Sequence, residues 1–441
     1  MMSVLEQAQA AKRASFRLAG ASTELKDRAL AEIAEALERG RARILEENRK
    51  DQEQARKTGL KESLFKRLVL TDKKIDQIVE SVRDVGRLED PVGRTLLARE
   101  LDRGLILKQT TVPIGVIGVI FESRPDALVQ ISTLCVKSGN VVILKGGSEA
   151  LHSNRILFQL IRGAAEAVDP VFKDTLHLVE TREQIGELLE LDRWIDLMIP
   201  RGSNELVRRI QESTRIPVLG HADGICHLYV DRDADLDMAV EVAFDAKCQY
   251  PAVCNTIETL LVHAEVAGEY LPRLAERLEG VQLSGDQRTR GIIQVKAATE
   301  EDWNTEYLDL ILSIRVVDSL PEAVDHINTY GSHHTDAIVT RDEGAARRFI
   351  SDVDSSSVMW NCSTRFADGF RYGLGAEVGI STGKIHARGP VGLEGLTSTK
   401  YILQGGGQVV ADYAGGGKGF THRDLPSGEL PPDELSRTDQ T

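Results

Sequence analysis

The side chains that could form or break a covalent bond are few. Five cysteines, Cys135, Cys226, Cys248, Cys254 and Cys362, are scattered without close pairs, as expected of a reducing compartment that leaves thiols free. Cys135 falls on an apolar helix face and Cys226 opens a strand, so both read as core packing. Cys254 differs, because AVCNT reads as a loop between a helix and a strand, where backbone N–H groups can stabilise a thiolate or an oxyanion. Cys248, six residues upstream, remains a rival on spacing alone. Two strand–helix turns suit a nucleotide. Lys145-Gly146-Gly147-Ser148 offers an ammonium to a ribose hydroxyl or phosphate, and Arg201-Gly202-Ser203-Asn204 opens a helix whose free N–H groups suit a pyrophosphate. An N-capping serine at such a turn is equally expected on structural grounds. There is no G-x-x-x-x-G-K-S/T, and no G-x-G-x-x-G follows the first parallel strand, where the nearest glycines are Gly115 and Gly118. The ten histidines include His333-His334 but no H-E-x-x-H and no Cys/His ligand spacing, so no catalytic metal is expected.

The elements that position these residues follow from periodicity. At 441 residues the chain is long enough for two or three domains. Its formal charge of −14, without a basic run, argues against nucleic acid. No apolar stretch approaches the length of a membrane span, and the first 20 residues read as an amphipathic helix without a signal peptide's apolar run, so a cytoplasmic protein is expected. Residues 1 to about 85 are helix-rich, with Leu30, Ile33, Leu37 and Ile44 at helical spacing. Asp90-Pro91 breaks that pattern, and Gly104 to Phe121 reads as a hairpin leading into a buried strand. Strands at 114–121, 141–145, 175–179, 195–199 and 217–219 then alternate with helices, which predicts a parallel sheet covered on both faces. A second strand–helix run follows Asp231. Ligands of such sheets sit at the carboxyl ends of the strands.

On these residues the chain resembles the aldehyde dehydrogenase superfamily. VPIGVIGVIFESRPDALVQISTLCVKSGNVVILKGGSEA is similar to its cofactor domain, and the likeness continues through IPRGS, GHADGICHLYVD, CQYPAVCNTIETLLVH, SHHTDAIVT and NCSTRFADGFRYGLGAEVGISTGK, over roughly residues 10 to 413. The branch with E-S-R-P in place of W-N-F-P acts on L-glutamate 5-phosphate. The resemblance implies an α/β fold of two Rossmann-like parallel-sheet domains with a small β oligomerisation element. It assigns 1–98 and 119–222 to cofactor binding, 223–394 to catalysis, and 99–118 with 395–413 to the oligomerisation hairpin and strand. A mobile tail is expected over 414–441. Cys254 falls on the nucleophile, Lys145 on the lysine at the cofactor ribose, Gly202 and Ser203 on the pair facing the pyrophosphate, and Glu306 on the glutamate at the nicotinamide ribose. Ser123 takes the place of the oxyanion asparagine, and Arg124, His221 and Arg365 are candidates for the substrate's phosphate and carboxylate. Gly220 stands where hydrolysing members carry a glutamate base, 254 − 220 = 34 residues before Cys254. The acid that often selects NAD falls near Ser148 or Glu149. The implied activity is NADPH-dependent reduction of the acyl phosphate through a Cys254 thioester, the alternative being a hydrolytic NAD(P)-dependent aldehyde dehydrogenase. A homo-oligomer and handover from a separate glutamate 5-kinase are the expected partnerships.

Overall fold

The computed structural model describes residues 2–426 except Ser123, Ser203, Ala222, Ile385 and His386. The two serines among these are predicted site residues that lie outside the described residues. Helices cover the first part of the chain, Val4–Leu18, Thr23–Arg39, Arg41–Lys57 and Asp72–Arg87 among them. Ser3, Ser22 and Thr71 cap three of them by accepting from the third helical N–H. Their apolar stripes, such as Leu30, Ile33 and Leu37 on one helix and Ile75, Val79 and Val82 on another, enter one core with the first sheet.

That sheet has four parallel strands in the order Leu176–Val179, Val141–Lys145, Val116–Phe121, Leu197–Arg201. Val116–Phe121 and Val141–Lys145 are buried at every position, as strands covered by helices on both faces must be. Of the strand predicted at 217–219, a single parallel bridge, Met198 to Val218, is formed. The domain boundary expected at 118 falls inside the continuous strand Val116–Phe121. The second sheet is parallel throughout, with seven strands ordered Lys296–Ala297, Gln282–Gly285, Ile311–Val317, Ile257–His263, Cys226–Val230, Thr335–Val339, Ser357–Trp360.

The hairpin Thr95–Asp102 and Leu105–Pro113 forms a separate antiparallel sheet with Thr397–Gln404 on one side and Arg423–Asp424 on the other. The last pairing brings part of the tail expected over 414–441 onto this sheet. Arg99 Nε donates to Asp424 Oδ1 at 2.7 Å, and the Tyr413 and Phe420 rings stack with centroids 4.5 Å apart. Residues 427–441 of that tail lie outside the described residues.

Candidate active site

Cys254 sits on the loop between the helix Leu236–Cys248 and the strand Ile257–His263. Three bonds fix that loop: Thr256 N–H donates to the Val253 carbonyl (3.1 Å), Thr256 Oγ1 to the Tyr250 carbonyl (2.8 Å), and Asn255 Nδ2 to the Ala367 carbonyl (2.8 Å). From the first domain, Arg67 Nη2 reaches the Ala252 carbonyl at 3.1 Å. Cys226, at the start of the strand Cys226–Val230, donates its thiol to the Cys254 carbonyl at 3.1 Å. Gly224, just before the strand Cys226–Val230, lies directly against the nucleophile loop. A Cβ at Gly224 would stand 2.2 Å from the Cys254 carbonyl oxygen and 2.5 Å from its Cα, so only glycine permits this approach. Among the described residues the Cys254 N–H finds no acceptor, which leaves it free for a developing oxyanion.

Cys248 is placed differently. It ends its helix, packs against the hydrophobic core of the second sheet, and burial pushes its thiol up. Such a thiol is a poor nucleophile beside one on a loop. Cys135 and Cys226 are buried, the former pushed up to about 12 by burial.

His221 and His334 close on Cys254 from two sides: one ring nitrogen of each and the Cys254 Sγ lie within 4.8 Å of one another. His221 Nδ1 is 2.9 Å from the Ile380 carbonyl oxygen. A carbonyl accepts only, so Nδ1 carries the proton and Nε2 keeps a lone pair. Glu306 lies within electrostatic reach of His221 and takes hydrogen bonds from the Gly224 N–H and from Asn204 Nδ2, the latter at 2.7 Å. Burial raises its carboxyl above the ordinary value despite both bonds. Glu306, Gly224 and Cys254 thus form a continuous chain of contacts.

Arginines supply the positive field. Arg365 is buried, its Nε donating to Gln249 Oε1 at 3.1 Å, and it lies within electrostatic reach of Cys254. Arg124 pairs with Asp126 (3.0 Å) and shares Glu377 as a counter-charge with Arg201. Arg201 was not singled out as a substrate contact by the sequence, although its neighbours Gly202 and Ser203 were. Its guanidinium is also within reach of Cys254, burial pulls its acidity toward the neutral form, and its Nη1 is buried with no hydrogen-bond partner among the described residues. Leaving such a group unpaired costs more than about 1–3 kcal/mol, so an anionic ligand is the expected partner. Its signal was its place at the carboxyl end of a parallel strand, opposite Phe121 in register. His334 had no such signal; it is separated from Cys254 by 80 positions and meets it only through the sheet order.

Lys145 and Gly202 lie apart from the thiol, at the carboxyl edge of the first sheet, where Ile120 pairs with Lys145 and Phe121 with Arg201. Burial lowers the Lys145 ammonium, with Glu149 and Glu122 opposing and Arg182 adding to the shift. A Cβ at Gly202 would stand 2.6 Å from Glu122 Oε2 and 2.8 Å from Leu206 Cδ2, so bare backbone opens the helix Asn204–Ser213. A buried ammonium and a glycine ahead of a helix, on the same edge of one sheet, fit a dinucleotide. Gly220 is not held open by crowding, since a Cβ there would meet Pro200 no closer than 3.5 Å.

Residues 2–300 match the aldehyde dehydrogenase family profile. The chain is 59% identical over 426 residues to the gamma-glutamyl phosphate reductase of Pelotomaculum thermopropionicum, covering 96% of this chain and 98% of that one. It superposes on the crystal structure of the gamma-glutamyl phosphate reductase of Thermotoga maritima with a TM-score of 0.90 and 42% identity, over 92% of this chain and 100% of that one. An engineered glycolyl-CoA reductase with bound NADP+, 15% identical, shares the fold with a TM-score of 0.64 over 91% of this chain and 97% of that one.

Proposed function

This chain belongs to the aldehyde dehydrogenase family, and from that premise we propose that it reduces L-glutamate 5-phosphate to L-glutamate 5-semialdehyde and phosphate with NADPH. Near-full-length identity to gamma-glutamyl phosphate reductases supports the reaction. The observation in the site that carries it is a loop thiol set among arginines, one of them with an unpartnered buried nitrogen.

His221 Nε2 takes the thiol proton as Cys254 attacks the γ-carbonyl carbon. The new oxyanion is held by the Cys254 N–H. Arg201 and Arg124 pair with the phosphoryl oxygens, Arg365 with the α-carboxylate, and His221 returns its proton as the C–O bond to phosphate breaks. A γ-glutamyl thioester remains on Cys254. NADPH, when bound, supplies the hydride that reduces this thioester. The same N–H then holds the thiohemiacetal oxyanion until the C–S bond breaks and the semialdehyde leaves, after which it cyclises to 1-pyrroline-5-carboxylate in water. Glycine at 220 offers no carboxylate to activate water, so phosphate is the acyl acceptor in the reverse direction.

Lys145, Gly202 and Glu306 hold the cofactor, and the resemblance adds Ser203 to the cofactor site and Ser123 to the substrate site. Arg182, close enough to depress Lys145, provides a second cation for a 2′-phosphate, which favours NADPH over NADH. The enzyme works in the cytoplasm as a homo-oligomer fed by a separate glutamate 5-kinase, a handover that native co-purification recovering no kinase would contradict. No helix among the described residues is long and apolar enough to cross a membrane.

The deciding test is the reverse reaction: semialdehyde, phosphate and NADP+ followed by NADPH absorbance, with Cys254→Ala and Cys248→Ala in parallel. Phosphate-dependent NADPH formation lost only in Cys254→Ala is the expected result. Formation indifferent to phosphate would replace this reading with a hydrolytic dehydrogenase.

A further inference from the structure

His334 is fully buried, and its Nε2 has no hydrogen-bond partner among the described residues. Its Nδ1 lies 2.9 Å from Thr335 Oγ1, and 3.8 Å from the Cys226 thiol. With Nδ1–H donated to the hydroxyl, Nε2 presents a lone pair, the same tautomer that Ile380 imposes on His221. The two rings meet edge-on, centroids 4.7 Å apart at 74°. Two imidazoles, each with its Nδ1 held by another group, stand with one thiol, a ring nitrogen of each and the sulfur lying within 4.8 Å of one another. Anchoring of the far nitrogen by a carbonyl or hydroxyl is the usual outer support of metal-binding histidines.

A tetrahedral ion with bonds of about 2.0–2.1 Å to nitrogen and about 2.3 Å to sulfur holds such ligand atoms roughly 3.3–3.8 Å apart. Side-chain movements of about 1 Å bring this cluster to that spacing. The ligand set, two imidazoles and a thiolate with a fourth position open, selects a borderline-soft ion of the zinc class over magnesium or calcium, which take oxygen. Arg201 and Arg365 oppose a cation at this point while Glu306 favours one, so the thiolate bond must supply the affinity.

We propose that His221, Cys254 and His334 form a binding site for a zinc-class divalent cation that competes with the acyl phosphate for the thiolate. The competition rests on Cys254 being the nucleophile; the site itself does not. No local pattern points to it, because positions 221, 254 and 334 lie on three separate segments with none of the spacings by which ligand pairs are recognised.

The test titrates the reduced, chelator-washed full chain with Co2+, reading the tetrahedral visible bands and the thiolate-to-cobalt charge transfer, then displaces the ion with Zn2+. One equivalent should bind. Cys254→Ala should abolish the charge transfer, and His334→Ala or the more isosteric His334→Gln should weaken binding by about 10- to 100-fold. His333→Ala, outside the cluster, should change nothing. In the reverse assay Zn2+ should inhibit, semialdehyde with phosphate should protect, and a chelator should restore the rate. A charge-transfer band that survives in Cys254→Ala, or equal affinity in both His334 variants, would overturn the site. Absence of binding in an enzyme that Cys254→Ala inactivates would overturn the site and leave the nucleophile standing. Stoichiometric binding with an undiminished rate would overturn the competition and, with it, Cys254 as the nucleophile.

Discussion

A buried guanidinium nitrogen without an acceptor is a cost the folded chain carries for its ligand, and Arg201 separates a binding role from a structural one. Arg201→Met removes that unpartnered nitrogen. The melting temperature should hold or rise, while the KM for phosphate in the reverse assay rises about 10- to 100-fold, the worth of a charge-assisted hydrogen bond of about 1.5–3 kcal/mol. A fall in melting temperature with an unchanged KM would make Arg201 a packing residue. Glu306 answers to pH. In the proposed cofactor site its carboxyl accepts from ribose hydroxyls more strongly when ionised than when protonated, and burial has raised it above its usual 4.5. Cofactor KM should therefore climb as the pH is lowered through a value above 4.5, and Glu306→Gln should start from a weaker, pH-flat KM. A wild-type KM constant across that range would remove Glu306 from the cofactor site. What was legible at this scale was whatever a single segment declares: Cys254 in a loop, Lys145 and Gly202 at strand ends. Arg201 hid beside a recognised glycine, and His334 beside His333, because a pairing between distant strands leaves no mark on local spacing.

At the scale of elements the decisive joint is the crossing of the backbone at Gly224 over the nucleophile loop. A methyl group at Gly224 would meet backbone atoms at 2.2 and 2.5 Å, which cannot rotate away as a side chain does. Gly224→Ala must push the two segments apart, at a cost of about 1–3 kcal/mol by the measure of other overpacked cores. It should lower kcat at least about 100-fold, since the thiol, its N–H and Glu306 all shift together. Thermal unfolding and reverse-assay rates on the same preparation check both; wild-type kcat with a lowered melting point would show that the crossing serves stability alone. The glycine is visible in GHADGIC, yet nothing in that string says which backbone it must admit. The alternation of short apolar strands with helices foretold the first sheet nearly to the residue, because strands such as Val141–Lys145 are buried on both faces and read as unbroken apolar runs. The second sheet was legible only as strand–helix alternation. Its order, with Cys226–Val230 at an interior position although it comes first in the chain, is fixed by crossover connections that no local pattern records.

Over the whole molecule, a four-stranded antiparallel sheet stands outside both parallel sheets. Its edge strand Thr397–Gln404 carries Tyr401 at 66% and Leu403 at 56% exposure, and these two, at alternate positions, share a face. Side chains of this size gain about 1.5–3 kcal/mol each on burial, and an uncovered apolar edge invites pairing with another strand. A second copy of the same chain is the partner that would always be at hand, since a two-fold contact presents the same strand from both sides. Tyr401→Ser with Leu403→Arg should therefore reduce the mass measured by light scattering to that of a single chain. The substitution lies far from the chemistry: Cys254, His221, Glu306, Arg201 and Lys145 all belong to the two parallel-sheet domains, none to the hairpin. The separated chain should then keep its KM values while losing thermal stability, because the exposed sheet is now unsupported. An unchanged mass would show that the subunits meet elsewhere. A dissociated chain that also lost its cofactor or phosphate affinity would mean that the partner steadies the first domain from outside, through the contact of Asn140 Nδ2 with the Leu396 carbonyl at 2.8 Å, where the strand Thr397–Gln404 begins.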